Sequence, residues 1–216
     1  MMTTAILHRH LRLALAFASL GAASCASDVT RTGRSPAFLI VDSMSAASGA
    51  IPGTFGSQLN SDVVTLVKET VNGQEVRVPT VFNDLGRAAI RLALKDPGTV
   101  SQPTSPSTLN EITITRYRVA FRRADGRNTA GVDIPYGFDG AVTGTVGGDS
   151  AVTLSFDIVR HQMKREPPLA NLAAENGAII ISTIAEITFY GRDQAGNDVT
   201  VTGLISVNFG DFSNPT

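Results

Sequence analysis

Beyond its first ten residues the chain has a single histidine, His161, so nucleophilic or general-base chemistry would have to be sought there. Ser155 and Asp157 precede it at a spacing that a strand would align on one face. An extended backbone, however, puts His161 about 13 Å from Asp157, beyond direct hydrogen-bond reach. No Gly-x-Ser-x-Gly elbow is present. His161 therefore reads as a surface histidine at a strand end, with a catalytic base as the competing role. A carboxylate-based hydrolase would need Asp133, Asp139 and Glu166 to share a cleft, and their spacing supplies no argument for it. Zinc or copper lacks ligands in a domain with one histidine and no thiol beyond Cys25. Calcium takes hard oxygen ligands, which Asp193, Asn197 and Asp198 crowd into one turn and Asn83 and Asp84 into another. Against that stands the ordinary use of Asp and Asn in turns, where their side chains bond nearby backbone. Calcium at the Asp193 turn is the only cofactor these residues suggest.

Three arginines, Arg116, Arg118 and Arg122, fall on one face of an alternating stretch. Guanidinium groups so placed can grip phosphate or carboxylate bidentately, which would suit an anionic glycan. The competing role is a solvated sheet face paired across strands with residues such as Asp157 or Glu186, where the charges also discourage edge-to-edge aggregation. Tyr136, in Pro135-Tyr136-Gly137-Phe138, is the aromatic best placed for an exposed loop, and it could equally plug one end of the fold.

The elements that must position these residues are nearly all strands. Apolar residues recur with period two or in short β-branched runs punctuated by Gly, Asn, Asp and Pro, and no long amphipathic helix interrupts them. Ala88, Ile90, Leu92 and Leu94 alternate with polar or small residues over 87–95. Tyr117, Val119 and Phe121 oppose the arginines within 112–123. Val152, Leu154, Phe156 and Ile158 share a face, and Gly147-Gly148-Asp149 is expected to join that strand in a hairpin to the one over 141–146. The runs 179–190 and 199–209 predict a terminal hairpin around the polar turn 192–198. Phe38 to Val41 reads as a first strand, and Asn72-Gly73 within 63–78 has the residues of a type I′ turn. Leu169 to Glu175 is the one helical candidate, one or two turns long. At least seven strands at this spacing predict an all-β, two-sheet antiparallel sandwich, a single domain over 36–216.

Composition agrees with one domain and narrows the partners. The 216 residues carry 18 basic against 19 acidic side chains, a balance that gives no case for nucleic acid. His8, Arg9, His10 and Arg12 precede an apolar run from Leu13 to Ala23 that is too short to span a bilayer, as in an export signal. Small residues Gly21, Ala22, Ala23 and Ser24 then lead to Cys25, the only cysteine. This end of 1–24 resembles a bacterial lipoprotein box, although Ala22 stands where that pattern prefers Leu. The resemblance implies cleavage before Cys25, acylation of its thiol and tethering to a membrane through the polar stretch 25–35. The competing reading is secretion with Cys25 discarded, for instance by cleavage at Ser24-Cys25-Ala26. Ala26, in place of an Asp after the cysteine, leans the expected location toward the outer membrane.

The stretch IAEITFYGRDQAGNDVTVTGLISVNF, from Ile184 to Phe209, resembles the last two strands of bacterial Ig-like and fibronectin type III-like domains, which a D-x-A-G-N turn joins. Ile114 to Asn128, ITRYRVAFRRADGRN, is similar to their central strand. A core Trp and a bridging cysteine pair are both missing. The resemblance implies an adhesive, spacer or assembly module and brings no catalytic residue with it. The whole chain also looks like uncharacterised envelope lipoproteins of environmental bacteria. The expectation is an exported, membrane-anchored, non-enzymatic module that binds an anionic glycan or another envelope protein. The alternative is a secreted or periplasmic hydrolase.

Overall fold

A computed structural model describes residues 33–148, 150–174 and 178–212. The expected signal segment, Cys25 and most of the tether lie outside them. The fold is an all-β sandwich. A three-stranded sheet is ordered β1 (Ala37–Ala47), β5 (Asp84–Leu94), β10 (Val152–Val159). It faces a five-stranded sheet ordered β2 (Gln58–Asp62), β12 (Asp198–Gly210), β11 (Ile181–Asp193), β8 (Ile112–Arg122), β9 (Phe138–Val146). All pairings in the two sheets are antiparallel except β2 with β12, which run parallel.

Alternation decides which face of each strand is buried. In β5, Ala88, Ile90 and Leu92 point into the core and Arg87 and Arg91 point out. In β10, Leu154, Phe156 and Ile158 are buried. Across the sandwich they meet Tyr117, Val119, Ile187, Phe189 and Val207 of the larger sheet. Phe156 sits between two of these rings, 5.1 Å from Tyr117 and 5.3 Å from Phe189 between centroids. A Cβ on Gly86 would lie 2.7 Å from the Phe156 ring, so the smallest residue is needed where β5 passes under it. The Tyr117 hydroxyl donates to the Asp157 carbonyl at 3.1 Å, and burial pushes its pKa up.

The hairpin expected at Gly147-Gly148 does not form. β9 pairs with β8 in one sheet and β10 with β5 in the other, so the glycine-rich connection crosses between sheets. The pattern fixes a strand's inward face but not its neighbour, and two flanking strands with a turn between them suit a crossover as well as a hairpin. The terminal hairpin of β11 and β12 forms as expected, as does the one around Asn72-Gly73, joining β3 (Thr65–Val71) to β4 (Gln74–Thr80). Both turn residues have positive φ, 54° and 80°, as a type I′ turn requires. That hairpin is a separate two-stranded arm, and β6 (Gly98–Thr99) with β7 (Gln102–Pro103) forms a second small ladder. Leu169–Ala174 is a 3-10 helix, and a four-residue helix not expected from the pattern, α1 (His161–Lys164), precedes it. No helix among the described residues is long and apolar enough to cross a membrane.

One polar cluster lies wholly inside. Lys164 Nζ donates to Asp84 Oδ1 at 2.9 Å and to the Asp62 carbonyl at 2.8 Å, with both charged side chains fully buried. Asp84 also accepts from the Gly49 N–H at 2.8 Å and the Ser61 hydroxyl at 2.5 Å. Burial pushes the Asp84 carboxyl up, against the opposing pull of Lys164, Ser61 and Gly49. The Asp62 carboxylate accepts from Thr65 Oγ1 at 2.7 Å and the Phe212 N–H at 3.0 Å. The cluster thereby joins β2, β5, α1, the loop after β1 and the chain beyond β12.

Candidate functional site

The outward face of the five-stranded sheet holds the arginine stripe, and a break in strand regularity aims it. In β8 the buried positions run Ile112, Ile114 and then Tyr117, Val119, Phe121, so parity changes once. An extra residue at Thr115 makes the change, and the register slips there against both β9 and β11. Such a bulge leaves Thr115 and Arg116 both facing solvent. The partner position in β11 is Gly191, where a Cβ would come within 2.6 Å of the Thr113 carbonyl oxygen. A groove of about 660 Å³ opens above this bulge, lined by Thr113, Thr115, Arg116, Tyr190, Arg192 and Thr200 among others.

The Arg116 guanidinium lies 3.8 Å from the centroid of the Tyr190 ring, in cation–π geometry. It also donates to Asp139 Oδ1 at 2.8 Å, while Arg118 reaches Oδ2 of the same carboxylate at 3.2 Å. Two guanidiniums thus share one carboxylate. Arg122 pairs with Glu186 at 2.5 Å and Arg192 with Asp198 at 2.8 Å. Of the two carboxylates expected to face the stripe, Glu186 does so. Asp157 instead accepts from Asn83 Nδ2 at 3.2 Å.

The other expected residues lie elsewhere. Tyr136 is 56% exposed in the loop before β9, with its hydroxyl end folded over Gly131. It lines a small cleft with Phe138, Arg160 and Glu166. Asp193 is buried at the β11–β12 turn, and its two oxygens accept from the N–H groups of Ala195 and Asn197 at 3.0 and 2.8 Å and from Asn197 Nδ2 at 2.8 Å. Burial alone would raise its pKa, but these bonds together with one from Ser35 outweigh it and hold the carboxyl below its ordinary value. Its oxygens are thus engaged by the turn's own donors, and the Asp198 carboxylate by Arg192. Among the described residues no group of three or more His, Cys, Asp or Glu side chains converges as a metal site.

The carboxylates of the hydrolase alternative are held in different surroundings. Asp133 accepts from the Thr129 N–H at 3.1 Å, Asp139 lies between two arginines, and Glu166 borders the Tyr136 cleft. Tyr190, Arg192 and the bulge at Thr115 are the features of the groove that the alternation pattern missed. The one available signal was the break in parity between Ile114 and Tyr117. Comparison with protein-family models, with curated proteins and with solved structures returned no match.

Proposed function

We propose that the protein is an exported envelope lipoprotein, anchored through Cys25, and that its Ig-like sandwich is a non-enzymatic binding module. In this reading the outer face of the five-stranded sheet takes an anionic group, such as the carboxylate of an acidic glycan. The observation that carries it is the sharing of Asp139 by Arg116 and Arg118 beside the Tyr190-lined groove. One carboxylate neutralises only one of two guanidiniums. A ligand carboxylate or phosphate can complete the pairing bidentately, and the Tyr190 ring holds Arg116 in place for it. The threonines at the groove floor add hydroxyls suited to a polyhydroxylated ligand.

Titration with polygalacturonate and with uncharged dextran tests the binding half. Saturable binding of polygalacturonate alone, weakened about tenfold or more by Arg116→Ala, is expected. Equal binding of dextran, or an unaffected Arg116→Ala variant, would overturn it. The anchor is tested by the intact mass of protein extracted from host membranes beside a Cys25→Ser variant. Acyl mass on an amino-terminal Cys25, absent from the variant, is expected. A mature chain that begins after Cys25 and carries no lipid would remove the anchor from the proposal.

A further inference from the structure

A second cleft, of about 510 Å³, lies where the loop after β1, the segment leading into β5 and the junction of β10 with α1 come together. Its apolar walls are Pro52, Val81, Phe82 and Leu85, its polar residues include Asp157 and His161, and among the described residues no lysine or arginine lines it.

The hydrogen bonds around Asn83 decide what this cleft offers. Asn83 Oδ1 accepts from the His161 backbone N–H at 2.7 Å, while Nδ2 donates to Asp157 Oδ2 at 3.2 Å. Those two bonds fix the amide's orientation, with its oxygen toward His161. His161 Nδ1 is 2.9 Å from the same oxygen, which can only accept. The ring proton of neutral His161 therefore sits on Nδ1, and Nε2 is left as a bare acceptor. Asp157 uses one carboxylate oxygen on Asn83 and forms no ion pair among the described residues. The cleft is thus lined by a carboxylate and an imidazole, each keeping an acceptor atom that Asn83 does not use, beside four apolar side chains.

We infer that this cleft binds a primary ammonium group carried on an apolar stem. The ammonium supplies donors to Asp157 and to His161 Nε2 and neutralises a carboxylate that has no ion-pair partner among the described residues. The stem covers Phe82, Val81, Pro52 and Leu85. A small alkylamine and a protein's lysine side chain share this chemistry. The site is separate from the arginine groove and does not depend on that reading.

The test follows backbone amide shifts of the full chain during titration with hexylammonium, hexanol, hexanoate and N-acetyl-lysinamide. Saturable shifts centred on Phe82, Asn83 and His161, about tenfold or more tighter for hexylammonium than for hexanol and absent for hexanoate, are expected. Asp157→Asn should erase the preference for the ammonium, because its amide oxygen can still accept from Asn83 but carries no charge. Binding of N-acetyl-lysinamide as well would extend the ligands to protein lysines, and hexylammonium alone would confine them to small amines. Equal affinity for hexanol, shifts centred elsewhere, or an undiminished preference in Asp157→Asn would overturn the inference.

Discussion

Lys164 Nζ lies 2.9 Å from Asp84 Oδ1, and neither side chain reaches solvent. Removing one partner strands the other charge inside, which costs about 3–5 kcal/mol. Lys164→Met should therefore lower unfolding free energy in urea by that amount. The Asp84→Asn/Lys164→Met double variant should lose less than the two single losses combined, because neither charge remains.

The same variant carries a pH signature. Burial already raises Asp84, and without Lys164 its carboxyl is raised further. The native Lys164→Met chain then binds its proton at a pH where the unfolded chain, with Asp near 3.9, has released it. Stability should fall as pH rises from about 4 toward 7, measured by urea midpoints across that range. A flat profile would count against the assignment.

Asp193 has the opposite sign. Its native pKa is lowered, so its contribution is present above the ordinary carboxylate pKa of about 3.9 and is lost as pH falls through the native value. Asp193→Ala should destabilise the fold by about 1–3 kcal/mol at pH 7, since it removes the acceptor for two backbone N–H groups and the Asn197 amide. The deficit should shrink on acidification.

Gly86→Ala places a methyl group against the Phe156 ring and should cost about 1–3 kcal/mol of overpacking. In the Gly86→Ala/Phe156→Leu double variant the smaller side chain makes room, so thermal unfolding should show the two losses to be less than additive.

Gly73→Ala meets no neighbour, yet φ is 80° there. The left-handed backbone costs a residue with a Cβ about 1–2 kcal/mol. Because among the described residues β3 and β4 pair only with each other, the loss should register as faster amide exchange in the arm, with little change in the global unfolding midpoint.

Local patterns in the chain were legible where one physical cause acted alone. Alternation in β5, β8 and β10 told which side chains point inward, and Asn72-Gly73 told where a hairpin turns. Pairing was less legible, because β9 and β10 show the same alternation whether they share a sheet or face each other. β2, Gln58–Asp62, is polar and short and owes its form to one parallel neighbour. The pairing of Asp84 with Lys164 was hidden for another reason: Asp84 read with Asn83 as a turn carboxylate open to calcium, whereas it begins β5 fully buried, and only the fold brings Lys164 to it across 80 residues. The arginine face was visible from spacing. Its groove depended on a bulge that shows in the sequence only as a skipped beat, and the amide bridge from Asn83 to His161 and Asp157 is tertiary throughout.

The parallel pairing of β2 with β12 bears on how the domain carries load. Tension applied at the amino-terminal side of β2 and at the carboxyl end of β12 pulls two parallel neighbours in opposite directions along their length. The hydrogen bonds of this ladder, whose register runs from Gln58 beside Ser206 to Asp62 beside Gly210, then resist together in shear rather than opening one after another. A load applied between the segment entering β2 and the end of β12 would be met by this five-residue patch.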